Sequence, residues 1–294
     1  MAGFRVMSFN IRGANHDDGV NSWPRRAALN IEVIQRAAPD IIGFQEYETG
    51  NQREYDRYLT DYAYEAGPAL ARESDSGGYH CAIYWRARRF ERMNGGAFFL
   101  NSKPAEYGLD WGMGHGRGLH WMTLRDRRDG AAFVFANTHL PHDSEIGRIR
   151  GARLILHKLG EISQDRLPVV LAADFNSRAT IYREAWRELL TEEQKRLADE
   201  NWSLFAYRNN VYEIFKAGGY SDAFIAAGNA DAPSVSTAHG FMSNAPPLNL
   251  RIDWILTRGN SRRIRCRCCA IIEDAQPPVY PSDHYPVIAD IEML

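Results

Sequence analysis

Six apolar runs, spread from residue 4 to residue 291, each carry an ionisable or amide side chain at one end. Phe4–Asn10 ends in Asn10, Ile41–Gln45 is followed by Glu46, and Ala132–His139 ends in His139. Pro168–Ala173 leads into Asp174 and Asn176, Arg251–Leu256 contains Asp253, and Asp283-His284 stands just before Val287–Ile291. Their β-branched and aromatic content, bounded by Gly, Pro, Asn and Asp, reads as strands. A strand buried on both faces does not casually end in carboxylates and imidazoles, and loops at strand ends carry sites.

Further strands are predicted at Cys81–Trp85, Gly96–Leu100, His120–Leu124 and Arg263–Ile272. Helical periodicity is sparser. Pro24–Ala38 sets Ala28, Ile31, Ile34 and Gln35 along one stripe, with Pro at an N-terminal position. Glu145–Leu159 does the same with Ile149, Ala152, Leu156 and Leu159. Ile181–Leu190 and Thr191–Tyr207 read as further helices, the second opened by a capping box at Thr191-Glu-Glu-Gln. Gly112–Gly118 reads as a loop. This order fits two sheets with helices outside. One domain is expected over residues 1–294, with a helical insertion around 183–219 that either covers the rim of a pocket or packs as an extra helical pair.

Composition removes several classes. At 294 residues, 45% hydrophobic and 24% charged, the chain is neither disordered, collagenous nor a coiled coil. No apolar run approaches the roughly 20 residues of a membrane span. Net charge is −2, so electrostatics alone would not hold the chain to nucleic acid. Arg258, Arg262, Arg263, Arg265 and Arg267 form a local basic stretch that either tracks a nucleic-acid backbone or, the favoured reading, is a solvated sheet face or charge-guarded edge. The first residues lack the apolar core of a secretory signal. Cys266, Cys268 and Cys269 lack paired Cys-x-x-Cys spacing, and with Cys81 they read as reduced cysteines of a cytoplasmic protein.

Taken singly, each polar residue has an ordinary reading. Glu46 is a metal ligand or a water-facing loop residue. Asp174 and Asn176 position a water and a phosphoryl oxygen, or form an Asx turn. His139 is a catalyst or a satisfied structural imidazole. Asp253 lies within a strand, where a carboxylate needs a partner, and a histidine is a natural one. Asp283-His284 fits an acid–imidazole base. A hard, carboxylate-rich set with histidines and no cysteine ligand favours Mg²⁺ or Mn²⁺ over structural zinc. Metal with a His/Asp base points to water attacking a phosphoester. Neither a Gly-x-x-x-x-Gly-Lys-Ser/Thr loop nor a Gly-x-Ser-x-Gly elbow is present.

Together, Met-Ser-Phe-Asn10-Ile-Arg, Ile-Gly-Phe-Gln-Glu46, Asn-Thr-His139-Leu, Ala-Asp174-Phe-Asn176, Arg-Ile-Asp253-Trp-Ile and Pro-Ser-Asp283-His284-Tyr-Pro-Val resemble the endonuclease/exonuclease/phosphatase superfamily. They occur in the family's order, over residues 5 to 291. Asn10 through Trp23 with Arg25-Arg26 is similar to a bacterial branch of undefined substrate. The resemblance implies a DNase I-like four-layer α/β sandwich: two packed, mostly antiparallel sheets flanked by helices, with the site at one rim. It implies that Glu46 is the principal Mg²⁺ (or Mn²⁺) ligand, with Asn10 and Asp283 in or near that shell. It makes His284 the general base oriented by Asp253, gives Asp174 and Asn176 the attacking water and the phosphate, and sets His139 on the phosphoryl oxygen or leaving group.

Two departures stand out. Where DNase I-like relatives place a glutamate that partners the histidine matching His139, this chain has Tyr79. Where abasic-site endonucleases carry a metal-contacting Asp, it has Arg12. Arg12, Arg117 and His239 are expected to contact substrate; Asp222 is read as a structural turn residue.

Three functions remain open on these grounds. The first is a metal-dependent phosphoesterase acting on a small phosphomonoester or phosphodiester. The second is a DNA or RNA nuclease. The third is a non-catalytic binding protein on the same fold, disfavoured by the joint presence of all six segments. No membrane and no protein partner are implied.

Overall fold

Phe4–Asn10 (β1) and Ile41–Tyr47 (β2) are almost wholly buried and pair in parallel, with Val6 opposite Ile41 and Asn10 opposite Gln45. Parallel strands covered on both faces read as continuous apolar runs, as these do. Their crossover is helix α1 (Trp23–Ala37). Strand β7 (Ala132–His139) repeats the arrangement, pairing in parallel with β8 (Val169–Asp174) through helix α3 (Glu145–Ser163). The computed structural model describes residues 3–70, 79–180, 187–188, 190–200, 209–243, 249–260 and 263–294.

The remaining strands are β3 (Tyr62–Glu65), β4 (His80–Arg86), β5 (Phe90–Phe99), β6 (Gly118–Asp126), β9 (Ser221–Asp222), β10 (Asp253–Arg258), β11 (Ile264–Ile271) and β12 (Val287–Met293). They form two six-stranded sheets, ordered β11-β12-β1-β2-β4-β3 and β5-β6-β7-β8-β10-β9. All pairs but β1/β2 and β7/β8 are antiparallel. The sheets pack face to face around Phe4, Val6, Ile83, Phe133, Phe135, Val170 and Ile255. Helix α1 and helix α2 (Thr49–Tyr58) cover the first sheet. Helix α3 and helix α5 (Asn210–Ala217) cover the second. The result is the expected four-layer sandwich.

A polar bridge crosses the apolar interior. Asn137 donates to the carbonyls of Phe44 and Ala82, both at 2.8 Å, and accepts from Gln45 at 2.7 Å. Gly43 makes this approach possible, because a Cβ there would meet Asn137 Cγ at 3.0 Å and Ala172 Cβ at 3.1 Å. Gln45 directly precedes Glu46, and Asn137 stands two residues before His139. The bridge therefore fixes the two strand ends relative to each other.

Several local readings shift. In α1 the buried residues are Trp23, Arg26, Ala27, Leu29, Asn30, Ile31, Val33, Ile34 and Ala37, so Ile31 and Ile34 lie inside while Ala28 and Gln35 face outward. Arg26 and Asn30 are held on the buried face because their side chains bind the carbonyls of Ile11 and Pro281. Helix α2 escaped the pattern reading because it buries only Asn51 and Tyr55. The Thr191 capping box is present and opens helix α4 (Glu192–Glu200). The predicted 181–190 helix falls largely outside the described residues, as do Trp186, Trp202, Phe205, Tyr207 and Arg262.

Strand β11 is the sheet's edge, and Arg263, Arg265 and Arg267 are exposed on it. Asp222 caps the short helix α6 (Ala223–Ala226) and pairs with buried Arg251. No helix of the described residues is long and apolar enough to cross a membrane.

Candidate active site

Strand register brings the polar strand ends to one rim. His139, Asp174 and Asp253 are cross-strand Cα partners on β7, β8 and β10. Asn10 ends β1, and Glu46 lies one position past its partner Gln45. The loop before β12 returns beside β1, where Ser282 Oγ donates to the Asn10 carbonyl at 2.7 Å. That contact sets Asp283 and His284 at the same rim. Left-handed backbone at Arg12 (φ 49°), Glu46 (φ 58°) and Asn176 (φ 45°) turns the chain there. Such conformations are costly for Arg and Glu, and they cluster at functional sites.

The side chains interlock. Asn10 Nδ2 donates to Glu46 Oε1 and to Asp174 Oδ2, both at 3.0 Å. His139 Nε2 lies 3.2 Å from Asp174 Oδ2 and 2.9 Å from Asn176 Nδ2. The Asn176 amide N–H donates to Asp174 Oδ1 at 2.9 Å. His284 Nδ1 stands 2.8 Å from Asp253 Oδ2. Arg12 forms a fork on Asp18 and approaches Asp283 at 3.8 Å.

Burial and neighbours set the charges. Burial lifts the Asp174 carboxyl to about 7, with the Asp253 charge adding to it. Burial also raises Asp283. It works against the charged form of His284, but the Asp253 carboxylate outweighs it and holds the imidazole well above its usual range. At Glu46 burial favours the neutral acid. The His16 hydrogen bond, the nearby histidines and Asn10 outweigh it and keep the carboxyl ionised. His139 goes the other way: burial first, then Arg117, hold it neutral.

Arg12, Glu46, His139, Asp174, Asn176, Asp283 and His284 line one cavity of about 900 Å³, while Asn10 and Asp253 are buried and not part of its lining. Glu46, Asp283 and the Asn10 carboxamide offer the hard oxygens that suit a divalent cation. His16 Nε2 lies 3.5 Å from Glu46 Oε2, so a nitrogen donor stands beside the carboxylate at the cavity wall. This hard-oxygen set with an adjoining imidazole fits a divalent cation.

Arg12 and Arg117 line the cavity. His239 does not. It is buried, stacked on Tyr285 at 4.1 Å and beside Tyr280 at 4.9 Å. The described residues of the 183–219 segment stay clear of the cavity, and Phe215 packs on Phe175 in the outer core. Tyr79 sits where a glutamate was missed, its ring 6.3 Å from that of His139.

Sequence reading overlooked His16, Glu48, His115 and His142, all of which line the cavity. His142 carried a signal, three residues past His139 in the same loop. His16 carried none, because a turn returns it to Glu46. That turn is pinned where Asn15 N donates to Glu48 at 2.8 Å and where a Cβ at Gly13 would strike Glu48.

The model of the Endonuclease/Exonuclease/phosphatase family matches residues 7–284. An endonuclease/exonuclease/phosphatase from Bacteroides vulgatus is 24% identical, with TM-score 0.80 over 100% of both chains. A mannosyl-6-phosphatase from Bacteroides thetaiotaomicron is 23% identical, with TM-score 0.78 over 99% of each chain. D. rerio TDP2, complexed with single-strand DNA product, is 16% identical, with TM-score 0.70 over 99% of this chain and 100% of its own. At these identities the likeness establishes the fold. No curated protein matches the chain by sequence.

Proposed function

The chain belongs to the endonuclease/exonuclease/phosphatase family, and from that premise we propose that it is a divalent-metal-dependent phosphoesterase acting on a small phosphoester. The observation that carries this reading is His284 Nδ1 at 2.8 Å from Asp253 Oδ2, at the rim that also holds Glu46 and Asp174. An imidazole fixed at Nδ1 by a buried carboxylate accepts a proton at Nε2.

Glu46, Asp283 and Asn10 would hold the ion, Mg²⁺ or Mn²⁺. When bound, it stabilises negative charge on the phosphoryl group. Asp253 orients His284, and His284 takes the proton of the attacking water. Asp174 accepts from that water, kept in place by Asn10 and the Asn176 amide. Asn176 and neutral His139 hydrogen-bond the phosphoryl oxygen, and Arg12 and Arg117 contact the substrate.

A small substrate is favoured because, among the described residues, the site is a cavity of about 900 Å³ and no basic track leads from it. Arg263, Arg265 and Arg267 line a separate depression on the β11 edge. The test compares bis-p-nitrophenyl phosphate, p-nitrophenyl phosphate and plasmid DNA, each with Mg²⁺, Mn²⁺ or EDTA, alongside His284→Ala. Metal-dependent cleavage of a small ester, lost in the variant, supports the reading. The nuclease reading draws on the fold shared with D. rerio TDP2 and its DNA product. Plasmid nicking lost in the variant would put it first. Silence on every substrate overturns both.

A further inference from the structure

Three buried guanidinium groups of this protein, those of Arg26, Arg89 and Arg251, spend their donors on oxygen. Arg26 binds the carbonyls of Ile11, Asn21 and Pro281. Arg89 binds Asp40, Asp126 and the Gly3 carbonyl, and Arg251 binds Asp222 and Asp231. Arg117 differs. It is only 3% exposed, and among the described residues it has no carboxylate within 4 Å and no carbonyl in hydrogen-bond reach. Its Nη atoms face His139 Nδ1 and His142 Nδ1, each at 3.4 Å, and its Nε has no partner. Its other neighbour is the Tyr79 ring and phenol.

Leaving a buried cation in this state is expensive unless something else supplies the counter-charge. The two imidazoles cannot, since burial and the guanidinium hold His139 neutral, and partial desolvation and then the guanidinium also disfavour the charged form of the exposed His142. The other cavity arginine, Arg12, is already committed to Asp18 and Asp283. Arg117 is thus the one uncommitted cation among the described residues lining the cavity, and it adjoins His139, the residue placed on the phosphoryl oxygen.

A phosphodiester brings one negative charge to this position. A phosphomonoester above about pH 6 brings two, and three acceptor oxygens. A planar fork beside a neutral imidazole donor matches the second charge and the extra oxygen. Resting on the phosphoesterase reading above, the geometry points to Arg117 as the residue that makes this site select phosphomonoesters over phosphodiesters.

The test measures kcat/KM for p-nitrophenyl phosphate and bis-p-nitrophenyl phosphate, with saturating Mg²⁺, for wild type, Arg117→Gln and Arg117→Lys. Inorganic phosphate and dimethyl phosphate binding is measured by calorimetry on the same proteins. The monoester-to-diester ratio falls about 100-fold in Arg117→Gln, the scale of a truncated buried charge contact. Lys restores part of it, since it keeps the charge without the fork. Inorganic phosphate binding weakens in parallel, and dimethyl phosphate binding less. An unchanged ratio, or a wild type that cleaves the diester and spares the monoester, overturns the inference and leaves the phosphoesterase standing. If neither ester is cleaved, the phosphoesterase reading falls. Phosphate binding then decides for Arg117 if lost in the Gln variant, and against it if retained. Should Arg117→Gln fail to fold, Tyr79→Glu supplies the missing counter-charge in place and is expected to lower the same ratio.

Discussion

Asp174 and Asp253 are cross-strand partners on β8 and β10, each 1% exposed, and His284 Nδ1 lies 2.8 Å from Asp253 and 4.0 Å from Asp174. Two carboxylates directly opposite each other repel. The His284 imidazole beside them, and the raised affinity of Asp174 for a proton, offset that repulsion. The same arrangement gives a base whose protonation is coupled to its neighbours.

Removing the imidazole removes the proton acceptor. His284→Ala is expected to lower kcat by about 10²–10⁴-fold, the usual worth of a general base. Its circular dichroism should remain native. A variant with wild-type turnover would rule out the assignment.

Activity should rise with pH. The base works when neutral, and Asp253 raises the pH at which His284 loses its proton. The acid limb of kcat/KM therefore lies above the ordinary histidine value of about 6.5. In Asp253→Asn that support is lost, so the limb moves to lower pH while the plateau falls. A pH–rate profile of both proteins at saturating Mg²⁺ checks the direction.

Stability without metal should fall as pH rises. The Asp174 carboxyl titrates at about 7 in the folded chain and near 3.9 when unfolded. Between those values the native state binds the extra proton, so its advantage is present below about pH 4 and lost as pH climbs through about 7. Thermal melts in EDTA from pH 5 to pH 8 should show declining Tm. Asp174→Asn should flatten that slope; an equal slope in the variant would point to other groups.

Metal affinity should depend on Glu46. Glu46→Gln keeps shape but removes the charge, and Mg²⁺ or Mn²⁺ binding should weaken by more than the 10–100-fold typical of outer-shell partners. Calorimetric titration without substrate reads this directly.

The inter-sheet bridge should be a stability element. Asn137→Ala removes the side-chain donor to the carbonyls of Phe44 and Ala82 in an apolar interior, while the Gln45 amide keeps Ser8 Oγ and the Gly43 carbonyl. At roughly 1–3 kcal/mol for each unsatisfied group, a loss of about 2 kcal/mol or more in urea unfolding is expected. A loss under about 1 kcal/mol would mean that water or a neighbour replaces the bridge.

Much of the fold and site was legible in the chain itself. β1 and β7 have the limits that their apolar runs give, because strands buried on both faces advertise themselves by continuous hydrophobicity. The polar strand ends stood out against that background, and with the order of the six segments they indicated both architecture and chemistry. Elements that bury little, such as α2 and β9, left no periodic trace.

Tertiary structure decided what depends on register, rotation and turns. Cross-strand pairing, which no local pattern encodes, made neighbours of His139, Asp174 and Asp253. Side-chain bonds seated the polar Arg26 and Asn30 on the buried face of α1, beside Ala27, Ile31 and Ile34. A loop pinned on Glu48 delivered His16 to Glu46, and stacking between tyrosines withdrew His239 from the cavity. The isolation of Arg117 is likewise a matter of which groups fail to reach it. Sequence names the ionisable groups; only the packed chain determines their distances, and through 1/r and burial those distances set their charges.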